Sequence, residues 1–261
     1  MATTRSRKPG QRSAGHFGDE FVFAHWTELP HFDATAPRRS PWDTVGWLER
    51  ILALLGLIAI APVLCGVALA IKLESPGGSV FFRQTRVGLN RRRRTTTKTE
   101  ARKWSGKRNR RKTRADGQVF HIWKFRTMIP DAEAKTGPVW ATEDDPRITR
   151  VGHLLRKTRL DEVPQLINVA AGHMHLIGPR PERPELIAEL VHNVPDYCAR
   201  LAIRPGITGL AQVERAYDEN VDYVKRKVMY DTFYIKNRCW LLDLKILAKT
   251  VDVVLRGWGA R

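Results

Sequence analysis

The sequence is short of several things. Three cysteines in 261 residues, Cys65, Cys198 and Cys239, are too few and too scattered for a disulfide framework or a zinc site. Such sparing use fits a reducing compartment. There is no Walker A loop and no Gly-x-Gly-x-x-Gly run, so the common glycine-rich phosphate cradles are excluded. No secretory signal is expected, because the apolar run starts too late in the chain. No internal repeat is visible. Acidic residues are scarce: 27 Asp and Glu stand against 45 Lys and Arg, for a net charge of +18 and a pI near 10.4. An imbalance of this size points to an anionic partner, whether nucleic acid, anionic lipid or a phosphorylated substrate. Most of it sits in one place. Between Arg91 and Arg114, thirteen Lys and Arg meet a single acid, Glu100, and a single aromatic, Trp104. One aromatic is a poor stacking platform, which argues against single-stranded nucleic acid. A solvated loop, or one drawn to anionic headgroups of membrane lipids, suits the composition better.

What is present reads as three regions. Residues 1–43 are polar, rich in Gly, Pro, Ser and Arg, and are expected to be a disordered tail. Residues 44–74 hold the uncharged stretch from Ile51 to Ile71, long enough to cross a bilayer. Pro62 lies in its middle and removes one helical hydrogen bond. Basic residues flank both ends: Arg38, Arg39 and Arg50 before, Lys72 and the Arg91 cluster after. If positive flanks stay cytoplasmic, a spanning helix satisfies only one of them and a re-entrant helix broken at Pro62 satisfies both. Length and charge leave both readings open. Residues 75–261 form the third region, read as a globular domain.

Within that domain Ser79–Gln84 and Gln118–Arg126 read as strands. If they pair, the basic segment, about residues 90–116, becomes the tip of a hairpin, where insertions are tolerated. The rest reads as helices punctuated by Gly and Pro, giving an α+β, mainly helical fold. The last helix is expected from about Val221 to Leu255. Its mixture of Trp240, Leu241, Leu242, Leu244, Ile246, Leu247 and Val251 with Lys236, Arg238, Lys245 and Lys249 suits packing on the domain or lying at a membrane surface.

The chemistry concentrates at Arg156-Lys157-Thr158-Arg159-Leu160-Asp161-Glu162-Val163-Pro164-Gln165-Leu166. Proline is tolerated only in the first turn of a helix, so Pro164 predicts a helix starting near Asp161. Two adjacent carboxylates then sit at a helix N-terminus, which favours the ionised aspartate. The plainer reading makes Asp161 an N-cap and Glu162 a first-turn acid. The chemical reading makes them a carboxylate nucleophile beside a metal-binding carboxylate, among arginines able to fork onto phosphate. In Gly178-Pro179-Arg180-Pro181-Glu182, two prolines bracket Arg180 and can present it rigidly to a phosphate. Arg204-Pro205-Gly206-Ile207-Thr208-Gly209 is a glycine-containing loop able to approach a ligand closely. His173-Met174-His175 has a spacing that could share a strand face, but one pair without further ligands is thin for a metal site. Glu143-Asp144-Asp145 before Pro146 reads as a turn and helix cap.

Taken in order, Lys124-Phe125-Arg126-Thr127-Met128, Asp145-Pro146-Arg147-Ile148-Thr149-Arg150-Val151-Gly152, Leu160–Leu166, Gly178–Glu182 and Arg204–Gly209 resemble the bacterial sugar transferases known as monotopic phosphoglycosyl transferases. The likeness runs from about Trp47 to Arg256, interrupted by the basic segment. It implies transfer of a sugar phosphate from a UDP-sugar to polyprenyl (undecaprenyl) phosphate through a covalent aspartyl intermediate, initiating exopolysaccharide or glycoconjugate synthesis. By position it makes Asp161 the nucleophile and Glu162 a Mg²⁺ ligand. It places Lys124, Arg156 and Arg180, with Pro181 beside it, on substrate phosphates. It also implies the re-entrant helix and a catalytic domain on the cytoplasmic face of the inner membrane, and it leaves room for a homo-oligomer. The chain departs from the family at Ala61-Pro62, often Ser-Pro, at Gly78-Ser79 before Val80-Phe81, and in the basic segment. The rival reading is a membrane-tethered nucleic-acid-binding or scaffold protein that uses that segment.

Overall fold

The computed structural model describes residues 46–89, 117–132, 145–194, 197–214 and 221–257. The expected tail and the basic segment lie outside the described residues. The first described element is α1, Gly46–Glu74, a helix of 29 residues. It is long and apolar enough to cross a membrane, and most of its large side chains are exposed, including Leu54, Leu55, Ile58, Val63 and Leu69. The helix runs on through Pro62, so the expected break there is not an interruption of the helix. One proline deletes one N–H bond and crowds one turn, while the flanking bonds persist.

Strands β1 (Phe81–Val87) and β2 (Val119–Phe125) pair antiparallel, from Phe81 opposite Phe125 to Val87 opposite Val119. The expected hairpin is therefore present, shifted two to three residues in its first strand. Phe120, Ile122 and Phe125 of β2 are buried. Next come α2 (Arg150–Lys157), a 3₁₀ turn over Leu160–Gln165, and α3 (Leu166–Ala170). Strand β3 (His175–Ile177) leads into the Gly178–Glu182 segment and then α4 (Pro184–Asn193). A second 3₁₀ turn, Tyr197–Ala202, precedes β4 (Gly206–Thr208), which pairs parallel with β3. Short α5 (Leu210–Val213), α6 (Val221–Asn237) and α7 (Trp240–Leu255) complete the described chain.

The long C-terminal helix expected from the sequence is thus two. Cys239 takes an extended conformation, φ −157° and ψ 162°, and starts α7 afresh. Helix α7 packs on the domain by one side and leaves an apolar side exposed. Leu242, Asp243 and Ile246 are buried, whereas Trp240, Leu241, Leu244, Val251 and Leu255 are exposed. At 100° per residue those five fall on one side of the helix.

The apolar helix is built into the domain. Ala53 packs in a cluster with Phe120, Ile122, Val169 and Met174, and Ile71 packs with Phe125 and Leu155. Glu49, buried, accepts from the backbone N–H of Leu176 at 2.6 Å and meets His175 Nδ1 at 2.5 Å. Glu74 accepts from the N–H groups of Arg150 at 2.7 Å and Val151 at 2.9 Å. Both ends of α1 are thereby held by one domain.

Candidate active site

A reversal of the chain sets the two carboxylates in place. Helix α2 ends at Lys157, and Arg159 turns the backbone with φ +59°. Such a left-handed conformation is costly for a side-chain-bearing residue. The 3₁₀ turn that follows packs against β2. A helical turn thus begins at Leu160, close to where Pro164 put it, but it is 3₁₀ before it is α. Asp161 lies inside the turn and makes no capping bond, the N-cap position being Arg159. The plainer reading of Asp161 as a cap does not hold.

Three elements meet on Glu162. Lys124 Nζ, from β2, donates to Oε1 at 2.7 Å. Arg180, from the segment after β3, donates from Nη1 to Oε2 at 3.0 Å and from Nη2 to Oε1. Asp161 is 8% exposed, and its Oδ1 is buried without a hydrogen-bond partner. Its charged neighbours are Lys124, Glu162, Arg180 and Arg156. Arg156 reaches towards the site from α2, with Nε donating to Thr127 Oγ1 at 2.9 Å. The cations that the sequence singled out therefore gather about the Asp161–Glu162 pair. Pro181 acts at one remove, as a buried part of the segment that holds Arg180.

Environment drives the two carboxyls apart. Burial pushes Asp161 above the usual aspartate range, with Glu162 adding to the rise, against the pull of Lys124, Arg180 and Arg156. Burial raises Glu162 as well, but Arg180 and Lys124, which also hydrogen-bond it, outweigh that and hold it well below the ordinary value. The expectation that helix-terminus electrostatics would hold Asp161 down is thus reversed: Glu162 takes the cations and Asp161 bears the desolvation. A carboxylate of raised basicity is the better nucleophile once ionised, and a separated pair of this kind suits divided roles.

The Arg180 segment is rigid for a countable reason. Four consecutive carbonyls each accept a hydrogen bond. Pro179 O takes Gly206 N–H at 3.0 Å, Arg180 O takes Arg200 Nη2 at 2.8 Å, Pro181 O takes Arg86 Nη1 at 3.0 Å, and Glu182 O takes Val87 N–H at 3.0 Å. The glycines of the Arg204–Gly209 loop serve the same segment. A Cβ on Gly206 would strike Gly178 N, and one on Gly209 would strike Gly178 O. They permit close backbone crossing at Gly178.

Behind the segment lies a set of charges that sequence reasoning missed. Glu182 meets Lys227 closely, Arg86 at 3.5 Å and Arg200 at 3.8 Å. Arg200, buried, pairs with Asp231 at 2.8 Å and donates to Tyr197 OH at 2.9 Å. Burial raises Glu182, but Lys227, Arg200 and Arg86 overcome it and bring it to about 2. Arg86, Arg200, Lys227 and Asp231 come from three separate elements with no local motif, so no signal in the chain marks them.

Other candidates are dispersed. His175 is buried against Glu49, and His173 packs near Phe120 at a ring separation of 6.0 Å, so the His pair does not form a metal site. Asp145 binds Arg147 at 2.5 Å and its carbonyl accepts from Ile148 N–H at 3.0 Å, a turn as expected, but Thr149 caps the helix that follows, and Glu143 and Asp144 lie outside the described residues. Among the described residues no three His, Cys, Asp or Glu gather to hold a metal. Glu162 accepts three hydrogen bonds of the roughly four a carboxylate can take, and Asp161 Oδ1 is unpartnered. A hard divalent cation would draw on Glu162 and complete its oxygen shell from phosphate and water, the kind of donor Mg²⁺ takes, with Asp161 Oδ1 left free.

Comparison with known proteins supplies the class. The pattern of the family described as "Bacterial sugar transferase" matches residues 44–115 and 102–257. The chain belongs to the bacterial sugar transferase family. It is 38% identical over 214 residues to the UDP-N-acetylgalactosamine-undecaprenyl-phosphate N-acetylgalactosaminephosphotransferase of Aeromonas hydrophila, covering 82% of this chain and 44% of that protein. It is 37% identical over 203 residues to the UDP-glucose:undecaprenyl-phosphate glucose-1-phosphate transferase of Escherichia coli K12, covering 77% of this chain and 38% of the relative. With the "Exopolysaccharide production protein PSS" of Rhizobium leguminosarum the identity is 36%, over 79% of this chain and 93% of the relative. The chain thus spans less than half of the first two relatives and nearly all of the third.

Proposed function

We propose that this protein transfers a sugar-1-phosphate from a UDP-sugar to undecaprenyl phosphate, as the first membrane step in building an exopolysaccharide or related glycoconjugate. The observation that carries the reading is Asp161: a buried carboxylate with one oxygen free, ringed by Lys124, Arg156 and Arg180 and backed by Glu162. The three cations grip the donor diphosphate and offset charge on the phosphoryl group as it transfers. Asp161 Oδ1 attacks the phosphorus that bears the sugar, and the bond from that phosphorus to the bridging oxygen breaks. UMP leaves with the bond electrons, and a sugar phosphate remains on Asp161 as an acyl phosphate. An oxygen of undecaprenyl phosphate then attacks the same phosphorus, freeing the Asp161 carboxylate and giving undecaprenyl diphosphate sugar. Glu162, with Asp161 beside it, is the residue to hold Mg²⁺, which when bound would neutralise phosphate charge.

The same reading makes α1 a re-entrant helix that dips into the cytoplasmic leaflet of the inner membrane, bends at Pro62 and returns. Its support is that one domain holds both Glu49 and Glu74. The exposed apolar side of α7 then rests at the lipid surface. The nucleic-acid reading rests on a segment outside the described residues and gains nothing from the relatives.

The test is UMP release by the detergent-purified protein with Mg²⁺, undecaprenyl phosphate and a panel of UDP-sugars. Lipid-dependent release with one sugar is expected. In the absence of lipid, intact mass should rise by one sugar phosphate, and Asp161→Asn should prevent the rise. A folded protein silent across the panel would refute the reading.

A further inference from the structure

We propose that Glu74, the last residue of the apolar helix, is a positioning residue that sets Arg156 in the active site, so that the seating of α1 governs the grip on the donor phosphate. The inference rests on the transferase reading and adds to it a residue that lies outside the catalytic cluster.

The geometry starts at the first turn of α2. A helix leaves its first N–H groups without intrahelical partners, and each must be met from outside. Here Glu74 Oε1 takes Arg150 N–H at 2.7 Å, Glu74 Oε2 takes Val151 N–H at 2.9 Å, and Thr149 Oγ1 takes Gly152 N–H at 2.9 Å. Thr149 is the local cap; the other two bonds come from 76 and 77 residues away. A carboxylate also suits the positive end of the helix dipole. Glu74 therefore fixes the origin of α2.

A second contact fixes the other end of that short helix. Ile71, three residues before Glu74 on α1, is buried in a cluster with Phe125 and Leu155, and Leu155 immediately precedes Arg156. Helix α2 has only eight residues, so clamping its first turn and its sixth residue to one neighbour leaves little freedom of rotation or slide. Gly152 tightens the fit: a Cβ there would strike Thr127 O, and Thr127 Oγ1 is the acceptor that receives Arg156 Nε at 2.9 Å. Arg156 thus projects from a helix gripped by α1 on one side and pressed against the Thr127 backbone on another. Glu74 is exposed, and among the described residues its carboxylate binds the start of α2 through the N–H groups of Arg150 and Val151 and the Thr149 hydroxyl.

The experiment is a double-mutant cycle on the full-length protein in detergent. Its four members are wild type, Glu74→Gln, Arg156→Lys and the double variant. The rate measured is UMP release with undecaprenyl phosphate and whichever of UDP-glucose, UDP-galactose or UDP-N-acetylgalactosamine the wild type uses. Glutamine keeps the shape but presents an amide nitrogen to one of the two N–H groups. It is expected to lower kcat/KM about tenfold, mainly through KM for the UDP-sugar, with little change in melting temperature. In the Arg156→Lys background, where the guanidinium fork is already gone, the same change should cost less than twofold. An undiminished tenfold loss in that background would show that Glu74 acts on the fold at large and would overturn the proposal. So would a Glu74→Gln variant within twofold of wild type. If Glu74→Gln fails to fold, Ile71→Val, which loosens the Leu155 contact and spares the cap, takes its place in the cycle with the same expectations. A silent wild type would bring down the transferase reading itself; an active one that fails the cycle removes only the role of Glu74.

Discussion

Asp161→Asn takes away a charge and keeps the shape, and the structure gives the change opposite effects on turnover and on stability. The Asp161 carboxyl is pushed up by burial, with Lys124, Arg180 and Arg156 already counted against the rise. A raised value means that the folded state holds the neutral form better than water does. Below the ordinary value of 3.8 the carboxyl is protonated whether the chain is folded or not, and the charge costs nothing. Above the raised value the folded protein must bury an anion that the unfolded chain leaves in water, and the full penalty applies. Asparagine removes that charge penalty and still leaves a polar atom at the unpartnered Oδ1 position. For a chain of this size each kcal/mol of penalty relieved is worth about 2–4 °C, so Asp161→Asn should raise the melting temperature near pH 7.5 while abolishing UMP release. The assay is intrinsic tryptophan fluorescence on heating, in one detergent, from pH 4 to 8. The gain should open as pH rises and close towards pH 4. An asparagine variant less stable than wild type at neutral pH, or a gain that does not change with pH, would refute the argument; so would retained turnover.

Glu182 gives the reverse case. Its carboxyl is brought to about 2 by Lys227, Arg200 and Arg86 against the effect of burial, so its contribution is present above about 4.5 and lost as pH falls towards 2. Glu182→Gln should therefore cost on the order of 3 kcal/mol at pH 7, and guanidinium titrations of the two proteins should converge near pH 2. For Glu162→Gln, the Mg²⁺ concentration at half-maximal rate should rise by about tenfold or more, and an unchanged Mg²⁺ response would remove Glu162 from the metal site.

What the sequence disclosed was local. The hairpin was legible because its strand residues are consecutive and bounded by turns. The position of the Asp161 turn was legible because proline cannot sit deep in a helix. The helical type of that turn was not, since it depends on Arg159 adopting φ +59°, a conformation usually left to glycine. The break at Cys239 was missed because Arg238-Cys239 has no Gly or Pro to mark it. Asp161, Glu162, Lys124, Arg156 and Arg180 could be singled out by motif, but the division of labour between the carboxyls could not. It arises because Lys124 and Arg180 both choose Glu162, 38 and 18 residues away. The Glu49–His175 contact joins residues 126 apart, and nothing near either residue announces the other.

The apolar helix has one further consequence, for anyone wishing to handle this protein without detergent. Cutting the chain after Glu74 would strip Ala53 from Phe120, Ile122 and Val169, and Ile71 from Phe125 and Leu155, leaving two holes lined with hydrocarbon in what remained. The anchor and the core are the same element, so water solubility cannot be gained by truncation. It has to come from repainting the outward side of the helix, at positions such as Leu55, Ile58 and Leu69, with the inward side left as it is.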